Sequence, residues 1–128
     1  MSTVGSLVNK ALELLQYTDR NGVPDSERYA PQYKSALGYA NMVCSDLSRI
    51  EHIDFAPHTS LDDTLTISET SENDIAPYGL AMWLALSNKD AENQAIFSML
   101  YNQKRVTAPR TQYKITQTYK VMDAAVIE

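Results

Sequence analysis

The chain has little of what disordered, disulfide-linked or membrane-spanning proteins require. Four glycines and five prolines among 128 residues are too few for a low-complexity chain. The single cysteine, Cys44, excludes an internal disulfide and favours a reducing compartment. No apolar run approaches the ~20 residues that span a bilayer, and the N-terminus has no basic leader followed by a cleavage site. We therefore expect a protein that is made and kept in a cytoplasm, with no membrane partner.

Motifs that carry chemistry are also missing from the sequence. It contains no phosphate-binding or dinucleotide-binding glycine pattern, no H-E-x-x-H and no G-x-S-x-G. His52 and His58 do not have the spacing of a metal site, and we interpret both as exposed loop histidines. Cys44 falls on the apolar side of a predicted helix, where we expect it to pack as a small hydrophobic residue. We predict no catalytic, cofactor-binding or metal-binding residue, and no enzyme.

Apolar residues at i, i+3 and i+4 spacing predict two helices in the first half of the chain. The first covers residues 3–16, and Ser2 or Thr3 can cap its start. The second covers residues 31–50 and has the clearest apolar stripe in the chain. Gly38 lies inside this second helix, and we interpret it as a mark of close helix packing.

Two further helices form a predicted hairpin in the second half. Residues 75–86 are apolar nearly all round, with Asp74 as the cap, which indicates a central helix. Residues 91–105 follow, capped by Asp90 after a short turn. The inner face of this fourth helix is predicted to carry Ala95, Ile96, Met99 and Leu100.

The remaining segments alternate apolar and polar residues, which is typical of extended chain. One is "TLTIS" at 64–68, within the irregular region 54–74; the other is "TQYKITQTYKV" at 111–121. The predicted fold is thus mainly α, a four-helix bundle-like single domain with a short extended segment before the third helix. Residues 1–107 form the helical domain, and residues 108–128 form an extended C-terminal arm.

Charge is unevenly spread along the chain. The net charge is −5, which is not typical of a nucleic-acid binder. Residues 60–76 hold five acids and no base, whereas residues 104–120 hold five bases and no acid. The basic segment, with its tyrosines, either contacts nucleic acid or adds to a neighbour's sheet edge or groove, and we favour the second interpretation.

Two adjacent stretches resemble a known family. Residues 61–86, "LDDTLTISETSENDIAPYGLAMWLAL", join an extended acidic segment to an apolar helix through "I-x-P-Y". Residues 87–104, "SNKDAENQAIFSMLYNQK", combine an "N-x-D-A-E" turn with a helix that carries "F-x-x-x-Y". This layout resembles the head–tail connector (adaptor or head-completion) proteins of tailed bacteriophages.

The resemblance implies a structural protein of the virion, assembled in the host cytoplasm. About a dozen copies would form a ring under the portal protein and join it to the tail or to the next connector protein. Double-stranded DNA would pass through the ring with transient, non-specific contact, and an acidic protein suits such a channel because like charges do not adhere. The family has no catalytic residues, and its extended terminal arm docks on the portal or on a neighbouring subunit.

The candidate site residues are therefore interface residues. In the helical hairpin they are Tyr78, Trp83, Phe97 and Tyr101. In the C-terminal arm they are Arg110, Tyr113, Lys114, Ile115, Tyr119 and Val121. The alternative function is a small DNA-binding packaging or regulatory module that uses the basic C-terminal segment and whose affinity falls steeply with salt.

Overall fold

A computed structural model describes residues 2–25 and 27–109 of the chain. Its helices are α1 (Val4–Leu15), α2 (Ala30–Glu51), α3 (Ala76–Ser87) and α4 (Ala91–Arg105), and a π-helical turn, Ser71–Ile75, runs directly into α3. The predicted class, a mainly helical bundle-like domain, is confirmed. The predicted arm lies outside the described residues from position 110 onward, and its first residue, Ala108, is buried.

Helix α1 begins and ends for local reasons. Thr3 caps it: the Thr3 Oγ1 atom accepts from the Ser6 amide at 3.2 Å, and the Ser6 Oγ atom accepts from the Thr3 amide at 3.0 Å. The helix ends at Gln16, which takes the left-handed conformation at φ 62°. Its buried residues are Val4, Leu7, Val8, Ala11, Leu12 and Leu15, as the apolar spacing predicts.

Helix α2 confirms the predicted stripe but not the prediction about its glycine. Pro31 lies in the first turn, where a missing amide removes no helical hydrogen bond. A Cβ atom on Gly38 would have no neighbour within 4 Å, so this glycine does not mark close packing. The close approach is at Gly79 of α3, where a Cβ atom would lie 2.6 Å from Cε1 of Tyr101.

Helix α3 is the central element, and it packs against each of the other three helices. Its predicted start lies within one residue of the observed one, but the predicted cap is wrong, because Asp74 lies inside the π-helical turn and helical backbone already begins at Glu69. The Oγ atom of Ser68 accepts a 3.1 Å hydrogen bond from the Ser71 amide and so caps the start of the helical backbone at Glu69. The turn stands just before Pro77, whose missing amide interrupts regular i to i−4 bonding.

The predicted inner face of α4 is also wrong. Ala95, Ile96 and Met99 are exposed, and Leu100 is half-buried. Phe97 and Tyr101 are buried in their place. The predicted and the observed inner faces lie side by side on the helix. The face with the two aromatic residues is the buried one because Gly79 leaves space on α3 for the Tyr101 ring.

The extended segment before α3 is confirmed by its burial pattern. Leu65 and Ile67 are buried, whereas Thr64 and Thr66 are exposed. A single antiparallel bridge joins Thr3 to Thr64, and residues 2–25 and 27–109 contain no strand longer than such a bridge. The segment therefore closes one side of the core without forming a sheet.

Candidate functional site

The tip of the α3–α4 hairpin is anchored to the rest of the domain through Asp90. This residue caps α4 by accepting from the Asn93 amide at 3.3 Å and from Asn93 Nδ2 at 2.7 Å. It also accepts a 2.7 Å hydrogen bond from the Tyr17 hydroxyl. Burial, together with the neighbouring Asp90 carboxylate, raises the pKa of Tyr17 to about 12, so this donor keeps its proton.

The four hairpin residues singled out in the sequence lie between helices of the domain itself. Phe97 and Tyr101 are buried, and the ring of Tyr78 lies 6.0 Å from that of Phe97. Trp83 stacks on Tyr39 of α2, with ring centroids 5.7 Å apart. Three of the four thus meet at the α3–α4 contact, and Trp83 faces α2. Their role in contacts between copies stays a prediction.

A charged cluster that the sequence analysis missed joins α2 to α4. Asp46 accepts from the Tyr101 hydroxyl at 2.7 Å and from Nε and Nη2 of Arg105 at 2.8 and 2.5 Å. Arg49, one turn along α2, donates to the same carboxylate at 2.8 Å. Partial burial alone would raise the pKa of Asp46, but the hydrogen bonds from Arg105, Tyr101 and Arg49 outweigh it and lower the pKa to about 2.

Replacing Asp46 by asparagine is expected to lower the free energy of unfolding by about 2 kcal/mol at pH 7. Because the pKa of Asp46 is lower in the folded protein, its contribution is complete above the unfolded value of 3.8 and is lost as the pH falls through about 2. Urea unfolding at several pH values should show that the difference in the free energy of unfolding between wild type and variant becomes smaller in acid. Asp62→Asn, at an exposed position, is the control. A gap that does not change with pH would contradict the assignment.

Two of the five bases in the basic segment contact other side chains of the same domain. Arg105 binds Asp46, and the Nζ atom of Lys104 lies 4.6 Å from the centre of the Tyr78 ring. Both therefore contribute to the packing of α4. The predicted arm residues lie outside the described residues; they are Arg110, Tyr113, Lys114, Ile115, Tyr119 and Val121.

The exposed side of α4 carries apolar residues that the rest of the domain does not cover. We call it the outer face of α4, and its residues are Ala95, Ile96, Met99, Asn102, Gln103 and Val106. Ile96 is 44% exposed, Met99 55% and Val106 65%. None of these side chains is charged, and the exposed Glu92, one turn before Ile96, ends the apolar stretch at its N-terminal side. Large apolar side chains grouped on one helix face are typical of an interface.

The residues with the greatest chemical reactivity differ in their surroundings. Cys44 is buried among apolar side chains, and burial, with a smaller effect of Glu72, raises the pKa of its thiol to about 12. His52 is exposed and ends α2 in the left-handed conformation at φ 61°. Within the described part of the chain no three histidine, cysteine or acidic residues cluster as metal ligands.

His58 is not the exposed loop residue that the sequence suggested. Its side chain is 6% exposed, because Asn41 of α2 binds the His58 backbone amide and carbonyl at 2.8 and 3.0 Å. The ring lies edge-on to Phe55 at 5.9 Å, and its Nε2 atom has no hydrogen-bond partner among the described residues. The Nδ1 atom lies 4.0 Å from Asp63. No local sequence pattern predicts the burial of His58, because its partner Asn41 lies 17 residues away in the sequence.

Comparison with known proteins finds no matching protein-family model, and no curated protein or solved structure with significant similarity to the chain. In residues 2–25 and 27–109, none of the helices combines the length and the apolar character needed to cross a bilayer.

Proposed function

We propose that this protein is a head–tail connector, or adaptor, of a tailed bacteriophage. Copies of it form a ring of about a dozen subunits under the portal protein and join it to the tail or to the next connector protein. Double-stranded DNA passes through the ring with transient, non-specific contact. The protein acts in the virion as a structural component, not as an enzyme.

The observation that carries the proposal is the outer face of α4. A helix whose aliphatic residues follow a core-like spacing leaves Ile96 and Met99 exposed, while Phe97 and Tyr101 on the adjacent face complete the core. A second copy that covers the outer face would remove this apolar area from water. A head-to-tail contact of this kind generates a closed ring when its rotation closes.

The charge distribution supports the same function. The net charge of −5 and the acidic stretch at 60–76 provide a negative surface, which repels a duplex and lets it slide through a channel. The hairpin that gave the family resemblance is a well-packed unit, with Asp90 anchoring its turn and Tyr101 its far end. Such a rigid hairpin is suited to hold an interface in one geometry.

The test is the mass of the purified protein by light scattering, measured alone, with duplex DNA and with the portal protein of the same phage. We expect a ring of ten or more subunits, formed alone or only on the portal, whose mass does not respond to DNA. A protein that binds no portal and stays monomeric would contradict the proposal.

The alternative, a DNA-binding module, is favoured by the five bases between 104 and 120. It predicts affinity for duplex DNA that falls steeply with salt. The pairing of Arg105 with Asp46, and the position of Lys104 over Tyr78, leave fewer bases for phosphates than the sequence suggests. A monomer or dimer that shifts to a DNA complex at low salt would favour this alternative.

A further inference from the structure

The extended segment at 64–66 has one edge that the subunit does not pair. On its inner edge the Leu65 amide donates to Ser2 O, and Asp63 O accepts from the Val4 amide, both at 2.9 Å. This is the widely spaced antiparallel pattern, in which the amide and carbonyl of Thr64 point away from the N-terminal segment. Those of Thr66 point the same way, because directions alternate along an extended chain. Within the described part of the chain no backbone hydrogen bond reaches either residue.

An open groove of about 470 Å³ lies along this free edge. Its opposite wall is the segment 54–58, and its lining includes Asp54, Phe55, His58, Asp63, Thr64 and Thr66. The site thus offers the ring of Phe55, the carboxylate of Asp54 and unpaired backbone groups. The Asp63 carboxylate already accepts from the Thr59 and Ser60 amides, and the Nε2 atom of His58 is buried beneath the surface.

Residues 111–121 have the sequence that such a site would bind. Tyr113, Ile115 and Tyr119 alternate with polar residues, as in a strand that buries one face. Lys114 and Lys120 provide positive charge, and residues 104–120 contain no acid. This pattern complements the acidic stretch 60–76, which contains no base and forms the edge itself.

The length of the chain after α4 allows this segment to leave its own subunit. Because the segment pairs through its own residues, its reach is set by the seven residues from 110 to 116, which span up to about 24 Å when extended. A domain of about 100 residues has a radius of gyration near 13 Å. A neighbouring copy in a ring is therefore within reach, and exchange in one direction around the ring gives each copy one donor segment and one acceptor edge.

We propose that residues 111–121 of a neighbouring copy add as a strand to the free edge at Thr64–Thr66. Tyr113, Ile115 and Tyr119 pack toward Phe55 and the core, and Lys114 and Lys120 lie on the exposed face with Thr64 and Thr66, near the acidic stretch 60–76. Backbone hydrogen bonds provide affinity, and the side chains of alternate residues provide specificity. The inference rests on the proposed function only for the presence of a neighbouring copy.

Disulfide trapping in the full-length protein tests the docking. Residues that lie opposite one another across paired strands point to the same face, so the exposed Thr66 should lie beside Thr116 or Thr118. A tagged Thr66→Cys variant is mixed with untagged Thr116→Cys or Thr118→Cys and oxidised mildly. We expect a mixed disulfide dimer in at least one pairing, with a yield that falls at high salt. Cys44 is buried and takes no part.

The control pairs the same arm variants with Asn21→Cys, at an exposed position in the α1–α2 connection, and should give only background dimer. The double variant Thr66→Cys/Thr116→Cys separates the possible donors. Bonds between copies give a ladder of multimers, whereas docking within one chain gives a disulfide-closed monomer and overturns the proposal. Failure of every pairing overturns it too. Rings without the mixed disulfide contradict only the docking, and the mixed disulfide without portal binding contradicts only the connector function.

Discussion

Replacing Gly79 by alanine is expected to lower the free energy of unfolding by about 2 kcal/mol, although alanine is the better helix former. The new Cβ atom would lie 2.6 Å from Cε1 and 2.8 Å from Cδ1 of Tyr101. The ring cannot simply move aside, because it is buried and its hydroxyl donates to Asp46 at 2.7 Å. Shifting it would weaken the contact of α4 with both α3 and α2. Urea or thermal unfolding measures the effect.

The same substitution at Gly38 is the matched control and should have the opposite sign. Gly38 also lies inside a helix, but a Cβ atom there meets nothing within 4 Å. Gly38→Ala should therefore raise the free energy of unfolding by about 0.5–1 kcal/mol. In a Tyr101→Ala background, Gly79→Ala should no longer lower the free energy of unfolding, because the ring that the new Cβ atom would contact is absent. Equal effects at the two glycines would contradict the packing described for α3 and α4.

The helix bounds were predictable because their causes are local. Thr3 and Asp90 each cap the helix that begins at the next residue, and Pro31 stands in the first turn of α2. The start of each of these helices is therefore determined by residues close to it in the sequence. The central position of α3 also followed from its composition, because a helix without a polar face must be covered on most sides.

The errors have a common physical cause, which is contact between distant residues. The inner face of α4 is decided by the notch at Gly79 and by Asp46, which lies 55 residues before Tyr101. Counting aliphatic residues could not choose between two neighbouring helix faces. The early start before α3 depends on Glu51, which accepts hydrogen bonds from the Ser68 amide and from the hydroxyls of Ser68 and Ser71.

The candidate site was predicted only in part, for the same reason. The sequence singled out the hairpin aromatics as interface residues, which stays a prediction, and it could not show that Phe97 and Tyr101 face their own core. The sequence predicted that His58 is an exposed loop residue, whereas its backbone is hydrogen-bonded to the side chain of Asn41. The misplaced face of α4 is itself informative, since it leaves Ile96 and Met99 exposed in a pattern that is typical of a buried face.

Met99→Asp is expected to prevent ring assembly while leaving the subunit folded. The Met99 side chain is 55% exposed, so the change should alter the free energy of unfolding by no more than about 0.5 kcal/mol. In a ring, a neighbour would cover this position, and a buried unpaired carboxylate costs several kcal/mol, which is at least about a hundredfold in the association constant. Light scattering with and without the portal protein measures assembly, and Asn21→Asp adds the same charge away from the outer face of α4 as the control.

Mixing Met99→Asp with wild type distinguishes a ring contact from other uses of the same face. In a head-to-tail ring each subunit offers the outer face of α4 to one neighbour and a different surface to the other. A Met99→Asp subunit can therefore join a growing arc through its intact surface but cannot extend it. An equal mixture should yield far fewer than half the wild-type number of rings, because a single variant subunit prevents closure. A loss that merely follows the fraction of wild-type protein would place the outer face of α4 against the portal and contradict its role between copies.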